Sequence, residues 1–307
     1  MAMAISRVRC GVLSWLAIGA LLLALPGCSD TPCDCEQGEA QPDADIAALE
    51  ESETDLLGLH ALPGSASSYG ALMDAGARVV NLTEAGTFFL IWVPQDYAEL
   101  PERRVMIAMH GTAGTAYAEA GAELALAQEH QYAILAIQWW LAQPEAYLEP
   151  PAVLGIIDLG LRYLEYYYGA EPRRSAYEGF SRGSAIGYEV TFWDRQLGTN
   201  YLALTIGHSG GVPLEGGRPF FDDLAAGVYG DSAFAGTHFF LYCGLQDEVW
   251  GEQQCAHMRN ARDIVRAQGA TIDSFIQDPH GSHNGYHADP ENHEAAVALF
   301  LSLTAER

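Results

Sequence analysis

The chain has 307 residues, a formal net charge of −25 and a 49% hydrophobic composition. That apolar share is enough to bury a core, while such acidity repels phosphate backbones and excludes nucleic acid as an expected partner. The basic residues are all arginine.

Along the chain, Arg7 and Arg9 form a short basic head, an apolar run from Val12 to Leu25 follows, and Leu25-Pro26-Gly27-Cys28 closes it. A charged head, a run too short to span a bilayer and small residues at its end read as a secretory signal over 1–27. The cysteine directly after Gly27 makes the segment resemble a bacterial lipoprotein signal. That resemblance implies lipid attachment at Cys28, the lipid membrane as a partner, and a place in the cell envelope facing the periplasm or the exterior. From Ser29 to about Gly58 there are ten acidic residues, no basic ones and no aromatics. Residues 28–58 are therefore expected to be an acidic disordered tether, with little apolar surface to bury. The remainder, 59–307, has the size of one large α/β domain.

Within that domain Thr87 to Val93 reads as an aromatic and β-branched strand, ended by Pro94. Arg104 to Met109 is a short apolar run suited to a strand buried on both faces, and it stops at His110-Gly111-Thr112-Ala113-Gly114. A helix is expected over 117–131, a buried strand over 133–138 and an amphipathic helix over 152–168. Ser175 to Phe180 is the next strand, followed by a helix over 183–195. Strands over 201–206, 238–242 and 272–276 and a closing helix over 293–303 complete the set. Strands and helices in alternation imply an α/β fold, a mostly parallel sheet with helices on both faces. The Gly-rich stretch 213–237 lacks periodicity and lies where an active-site cover could sit. In an exported chain Cys243 and Cys255 are either a disulfide or two separate thiols.

Gly179-Phe180-Ser181-Arg182-Gly183 matches G-x-S-x-G between an expected strand and an expected helix. A serine on such a turn has a strained backbone, and the flanking glycines let neighbouring chain approach closely. With this motif in place the chain resembles the α/β-hydrolases, and most closely their polyhydroxybutyrate-depolymerase and feruloyl-esterase-like branch. The stretch Trp92-Val93-Pro94-Gln95-Asp96-Tyr97 and the later Arg104 to Gly114 are similar to that branch's strand, proline, strand and HG loop. The likeness covers about 85 to 303, and it departs after Gln138, where Trp139-Trp140 stands in place of a proline-acid pair. The resemblance implies a serine hydrolase of carboxylic esters with Ser181 as nucleophile and Asp247, after the 238–242 strand, as triad acid. Glu248 is the adjacent alternative. It implies a base in the loop after the last strand, with His283 favoured over His280. It also implies an oxyanion hole of the backbone N–H groups of Thr112 and Arg182, with His110 supporting the loop. Trp139, Trp140 and Tyr147 either line a pocket or pack as core and cover.

Three other readings stay open. His280, His283, His287 and His293 lie within fourteen residues and could hold zinc, although no H-E-x-x-H and no paired cysteines support this. A binding lipoprotein on a hydrolase scaffold would need no turnover, and a serine peptidase would use the same triad. No phosphate-binding loop, dinucleotide fingerprint or flavin motif is present, so no cofactor and no metal are expected, and the expected partner is a small or polymeric ester.

Overall fold

The uninterrupted apolar runs Val105–Met109 and Ala133–Ile137 become paired, fully buried strands within a single sheet. The computed structural model describes residues 44–213 and 219–305; the expected signal and Cys28 lie outside them. The strands are β1 (Glu51–Ser52), β2 (Arg78–Leu82), β3 (Thr87–Trp92), β4 (Val105–Met109), β5 (Ala133–Ile137), β6 (Ser175–Phe180), β7 (Leu202–His208), β8 (His238–Gly244) and β9 (Thr271–Asp278). The helices are α1 (Ala44–Ala47), α2 (Ala66–Asp74), α3 (Ala116–His130), α4 (Pro150–Tyr168), α5 (Arg182–Gln196), α6 (Pro219–Ala225), α7 (Glu252–Ala267), α8 (Gly285–Ala288) and α9 (Pro290–Ala305). None is long and apolar enough to cross a membrane.

The sheet order is β1-β2-β3-β5-β4-β6-β7-β8-β9. From β5 to β9 every neighbouring pair is parallel, and β1, β2 and β3 add an antiparallel edge. All five residues of β4 are buried, and their alternation divides the core. Val105, Ile107 and Met109 pack with Ile157 and Leu161 of α4 and Ile186 of α5. Met106 and Ala108 pack with Tyr117 of α3 and Phe300 of α9 on the opposite face. A third cluster lies towards the β8 end, where Phe239 and Leu241 meet Met258 and Val265 of α7.

Helix α4 begins with Pro150, whose missing N–H is no loss in a first turn. It ends at Gly169 (φ 70°), whose N–H returns to the carbonyls of Glu165 and Leu164; glycine adopts this left-handed conformation without a Cβ penalty.

The acidic segment is folded from Ala44 on, which corrects the expected tether boundary at Gly58. Ile46 is buried in the α4-side core, and β1 pairs antiparallel with β2. The Asp55 carboxylate accepts the backbone N–H groups of Leu57, Leu59 and His60, an imidazole bond from His60 and the Tyr117 hydroxyl. Burial alone would raise the Asp55 pKa, but the bonds from Leu59, His60 and Tyr117 outweigh it and hold the carboxyl below its ordinary value.

The Gly-rich stretch after Pro213 is not without structure. Helix α6 buries Phe220, Phe221 and Leu224 against the third core cluster. Cys243 and Cys255 form a disulfide with a Cα–Cα distance of 5.3 Å, joining the end of β8 to the first turn of α7.

Candidate active site

The parallel register brings several carboxyl ends of the sheet level with one another. Met109 lies beside Gly179, Phe180 beside His208, and His208 beside Tyr242. The chain segments that leave these ends therefore converge, as in open α/β sheets generally.

Ser181 occupies the single residue between β6 and α5, with φ 51° and ψ −114°. A non-glycine residue held there is strained by about 1–3 kcal/mol, which the surrounding packing must offset. Its N–H donates to the carbonyl of His208 at 2.9 Å, and its carbonyl accepts from Ala185 at 3.0 Å. The flanking glycines are required by contact. A Cβ on Gly179 would lie 2.7 Å from the Gly183 carbonyl carbon, and one on Gly183 would collide with the carbonyl oxygens of Met109 and His110.

His283 lies in the loop between β9 and α8. Its Nε2 is 3.0 Å from Ser181 Oγ, and its Nδ1 is 2.6 Å from Asp247 Oδ2. Asp247 is buried in the turn between β8 and α7. Its other oxygen, Oδ1, accepts the N–H groups of Val249 at 2.8 Å and Trp250 at 2.9 Å. An ionised carboxylate has only acceptors, so it places the imidazole hydrogen on Nδ1 and leaves Nε2 as an acceptor facing the serine. Glu248 takes a different position: its Oε2 accepts the backbone N–H of His283 at 3.0 Å. That bond from the His283 backbone holds the Glu248 carboxyl below its ordinary pKa. His280 is exposed, with its N–H bonded to Asp278.

Thr112, Ser181 and Arg182 line one cavity of about 430 Å³, together with Ser209, Gly210, Gly211, Trp250 and His257 among others. In the HG loop the Ala113 N–H donates to the Tyr147 hydroxyl at 2.8 Å and the Gly114 N–H to the Gly111 carbonyl at 3.1 Å. The Thr112 N–H has no hydrogen-bond partner among the described residues. Arg182 is the first residue of α5, where a helix leaves its N–H unpaired. Burial pushes the His110 imidazole down to about 4, so it is neutral at neutral pH. It bonds the Gly111 carbonyl through Nδ1 at 2.9 Å, which braces the loop.

Trp139 is buried and donates from its indole to the carbonyl of His110 at 2.9 Å. Trp140 forms an isolated bridge with Tyr147. Neither of these two lines the cavity; both support the loop beside it. The Arg182 guanidinium lies over the Tyr147 ring at 4.3 Å and pairs with Glu145 at 3.0 Å. The four histidines considered as a zinc set are not gathered together. His283 faces Ser181, His280 faces outward, and His287 and His293 turn to buried glutamates. The cavity residues Ser209 and His257 belong to no motif in the sequence, and Trp250 is marked only by its place three residues past Asp247.

No protein-family model and no curated protein matches this sequence. Solved structures do share its architecture. A hyperthermophilic esterase from the archaeon Pyrobaculum calidifontis superimposes with a TM-score of 0.55 at 15% identity, covering 79% of this chain and 91% of that one. One of two fungal esterases from Rhizomucor miehei gives 0.54 at 11% identity, with 71% and 78% covered. A putative dienelactone hydrolase from Klebsiella pneumoniae gives 0.51 at 14%, with 72% and 93% covered. Likeness at this identity defines the fold, and the chain has the α/β-hydrolase fold.

Proposed function

We propose that this chain hydrolyses carboxylic esters through an acyl-enzyme on Ser181. The observation that carries the reading is the continuous hydrogen-bonded row Asp247–His283–Ser181, which opens on a cavity beside two backbone N–H groups. The esterases that share the fold support ester chemistry over other uses of the same row. In the reaction, Ser181 Oγ attacks the ester carbonyl carbon while His283 Nε2 takes its proton. The oxygen that becomes negative accepts from the N–H groups of Thr112 and Arg182, each worth about 3 kcal/mol in such a site. His283 then protonates the departing alcohol oxygen, and the C–O bond breaks. A water molecule then attacks the acyl carbon while giving a proton to His283, the acyl C–Oγ bond breaks, and His283 returns that proton to Ser181 Oγ as the acid leaves. Throughout, Asp247 orients the imidazole and stabilises its charged form.

Val249 and Trp250, more than half exposed beside Asp247, give the site an apolar rim. This suits the acyl or alcohol part of a small or polymeric ester, in keeping with a polyhydroxybutyrate-depolymerase or feruloyl-esterase-like subtype. With lipid on Cys28 and secretion through 1–27, the enzyme would act at the bacterial cell envelope.

The test is hydrolysis of p-nitrophenyl acetate and butyrate by the wild-type chain, Ser181→Ala and His283→Ala. Each variant is expected to lose at least about 1,000-fold in kcat, and the double variant no more than either alone, because the groups act as a unit. Wild-type protein that neither turns over these esters nor reacts at Ser181 with a fluorophosphonate would overturn the proposal.

A further inference from the structure

Six ionisable side chains lie together behind the Ser181 turn, and ester hydrolysis assigns none of them a role. Glu119 and Glu123 are four residues apart on α3. Glu178 is on β6 three residues before Ser181, His208 ends β7, His287 is on α8 and His293 is on α9. All but His287 are buried, and His287 is largely so. A charged residue in the middle of a central strand, such as Glu178, is costly unless it is paired or coordinated.

The pairing inside the cluster is incomplete. His293 Nε2 is bonded to Glu123 Oε1, and the second Glu123 oxygen accepts the Tyr132 hydroxyl at 2.8 Å. Glu178 Oε1 faces both His208 Nε2 and His287 Nε2, the latter at 3.2 Å. Glu119 Oε1 lies 3.8 Å from His287 Nε2, beyond hydrogen-bond range. Glu119 Oε1, Glu178 Oε2 and His208 Nδ1 are buried with no hydrogen-bond partner among the described residues. One donor atom from each of Glu119, Glu178, His208 and His287 falls within 4.8 Å of the others.

We propose that Glu119, Glu178, His208 and His287 bind a divalent first-row transition ion, with zinc the favoured occupant. Two imidazoles and two carboxylates form a donor set that zinc accepts readily, normally four-coordinate. Two carboxylate ligands and one divalent cation also match in charge. Glu123, His293 and Tyr132 then form a second layer around the ligands, the kind of support that orients metal-binding side chains. This proposal departs from the expectation from sequence that no metal is held.

The site is structural, yet it adjoins the chemistry. The carbonyl of His208 holds the Ser181 N–H at 2.9 Å. The Phe180 ring stacks on His208 with centroids 5.3 Å apart and packs against His283 at 5.1 Å. His287 is four residues past His283 on the same short segment. An ion here ties α3, β6, β7 and α8 together directly behind the nucleophile and the base.

The experiment uses the untagged full chain. Metal content is read by plasma mass spectrometry, and the protein is then stripped with dipicolinate and titrated with ZnCl2 by calorimetry and thermal unfolding. About one equivalent of zinc per chain is expected, with a Tm that rises with ZnCl2 concentration. Glu119→Gln and His287→Gln, each checked for native circular dichroism, should weaken zinc binding at least about 100-fold, whereas His280→Ala leaves it unchanged. Two results would overturn the proposal: stripped wild-type chain that takes up no zinc, or zinc binding unaltered in a folded Glu119→Gln or His287→Gln. The first needs no variant to fold, and neither depends on ester turnover.

Discussion

Replacing Asp247 by Asn is the sharpest perturbation of the site, because the surroundings of the carboxylate dictate how an amide must sit there. Oδ1 accepts two backbone N–H groups, from Val249 and Trp250, and Oδ2 faces His283 Nδ1. An asparagine has one oxygen. It keeps that oxygen on the two N–H groups, since turning it away would leave both of them opposite an NH2 group in a buried turn. The amide NH2 then faces His283 Nδ1, which becomes an acceptor, and the imidazole hydrogen moves to Nε2. There it points at Ser181 Oγ, 3.0 Å away, and His283 can no longer take the serine proton. In a triad whose acid is changed this way kcat falls about 10,000-fold, equivalent to about 5 kcal/mol of transition-state stabilisation. KM should change little, because the cavity wall is untouched. The assay is p-nitrophenyl butyrate turnover at pH 7–8, beside Glu248→Gln. The glutamine amide retains an oxygen for the His283 N–H, so that variant should stay within about 3-fold of wild type. A loss below about 10-fold in Asp247→Asn, or the large loss appearing in Glu248→Gln, would refute the assignment of the orienting acid.

Two further outcomes concern stability. Asp55→Ala removes the acceptor of three backbone N–H groups and the Tyr117 hydroxyl and should lower unfolding stability by about 3 kcal/mol in urea titrations; a loss under about 0.5 kcal/mol would mean the acidic segment does not depend on it. Because the folded Asp55 carboxyl is held below its ordinary value of 3.8, its contribution is complete above that value and disappears as pH falls through the lower folded one. The gap in stability between wild type and Asp55→Ala should accordingly close in strong acid. Replacing Cys243 and Cys255 together by Ala opens a bridge across a sequence separation of 12, and the urea midpoint should fall by an amount equivalent to about 2–3 kcal/mol; an unmoved midpoint would show that α7 is held to β8 by packing alone.

The parallel core was legible because fully buried strands announce themselves as apolar runs. Val105–Met109, Ala133–Ile137 and Ser175–Phe180 fall within a residue of their sequence expectation. The turn at Ser181 was legible because its glycines are dictated by backbone contacts and so are fixed in spacing. What escaped was set by distant partners. Asp55 looks like one more solvated acid until Tyr117, 62 residues on, is beside it. Strand β2 is only Arg-Val-Val-Asn-Leu, too short and mixed to stand out, and it is a strand because β3 lies alongside. Helix α7 is polar along most of its length and buries only five residues. The glutamate–histidine cluster is scattered from 119 to 293. One local clue existed: Glu178 interrupts an apolar strand, and a charge in that position demands a partner.

The crowding around Ser181 divides this site into a part that evolution can edit and a part that it cannot. Gly179, Gly183 and Gly210 all have backbone atoms where a Cβ would go, so even alanine there displaces the turn. The groups proposed to stabilise the oxyanion are main-chain ones, indifferent to which side chain they carry. Selectivity is left to the side chains of Arg182, Trp250 and His257, which line the cavity and can be exchanged without moving the reacting atoms. A library confined to those three positions would sample new substrates while leaving the chemistry where it is.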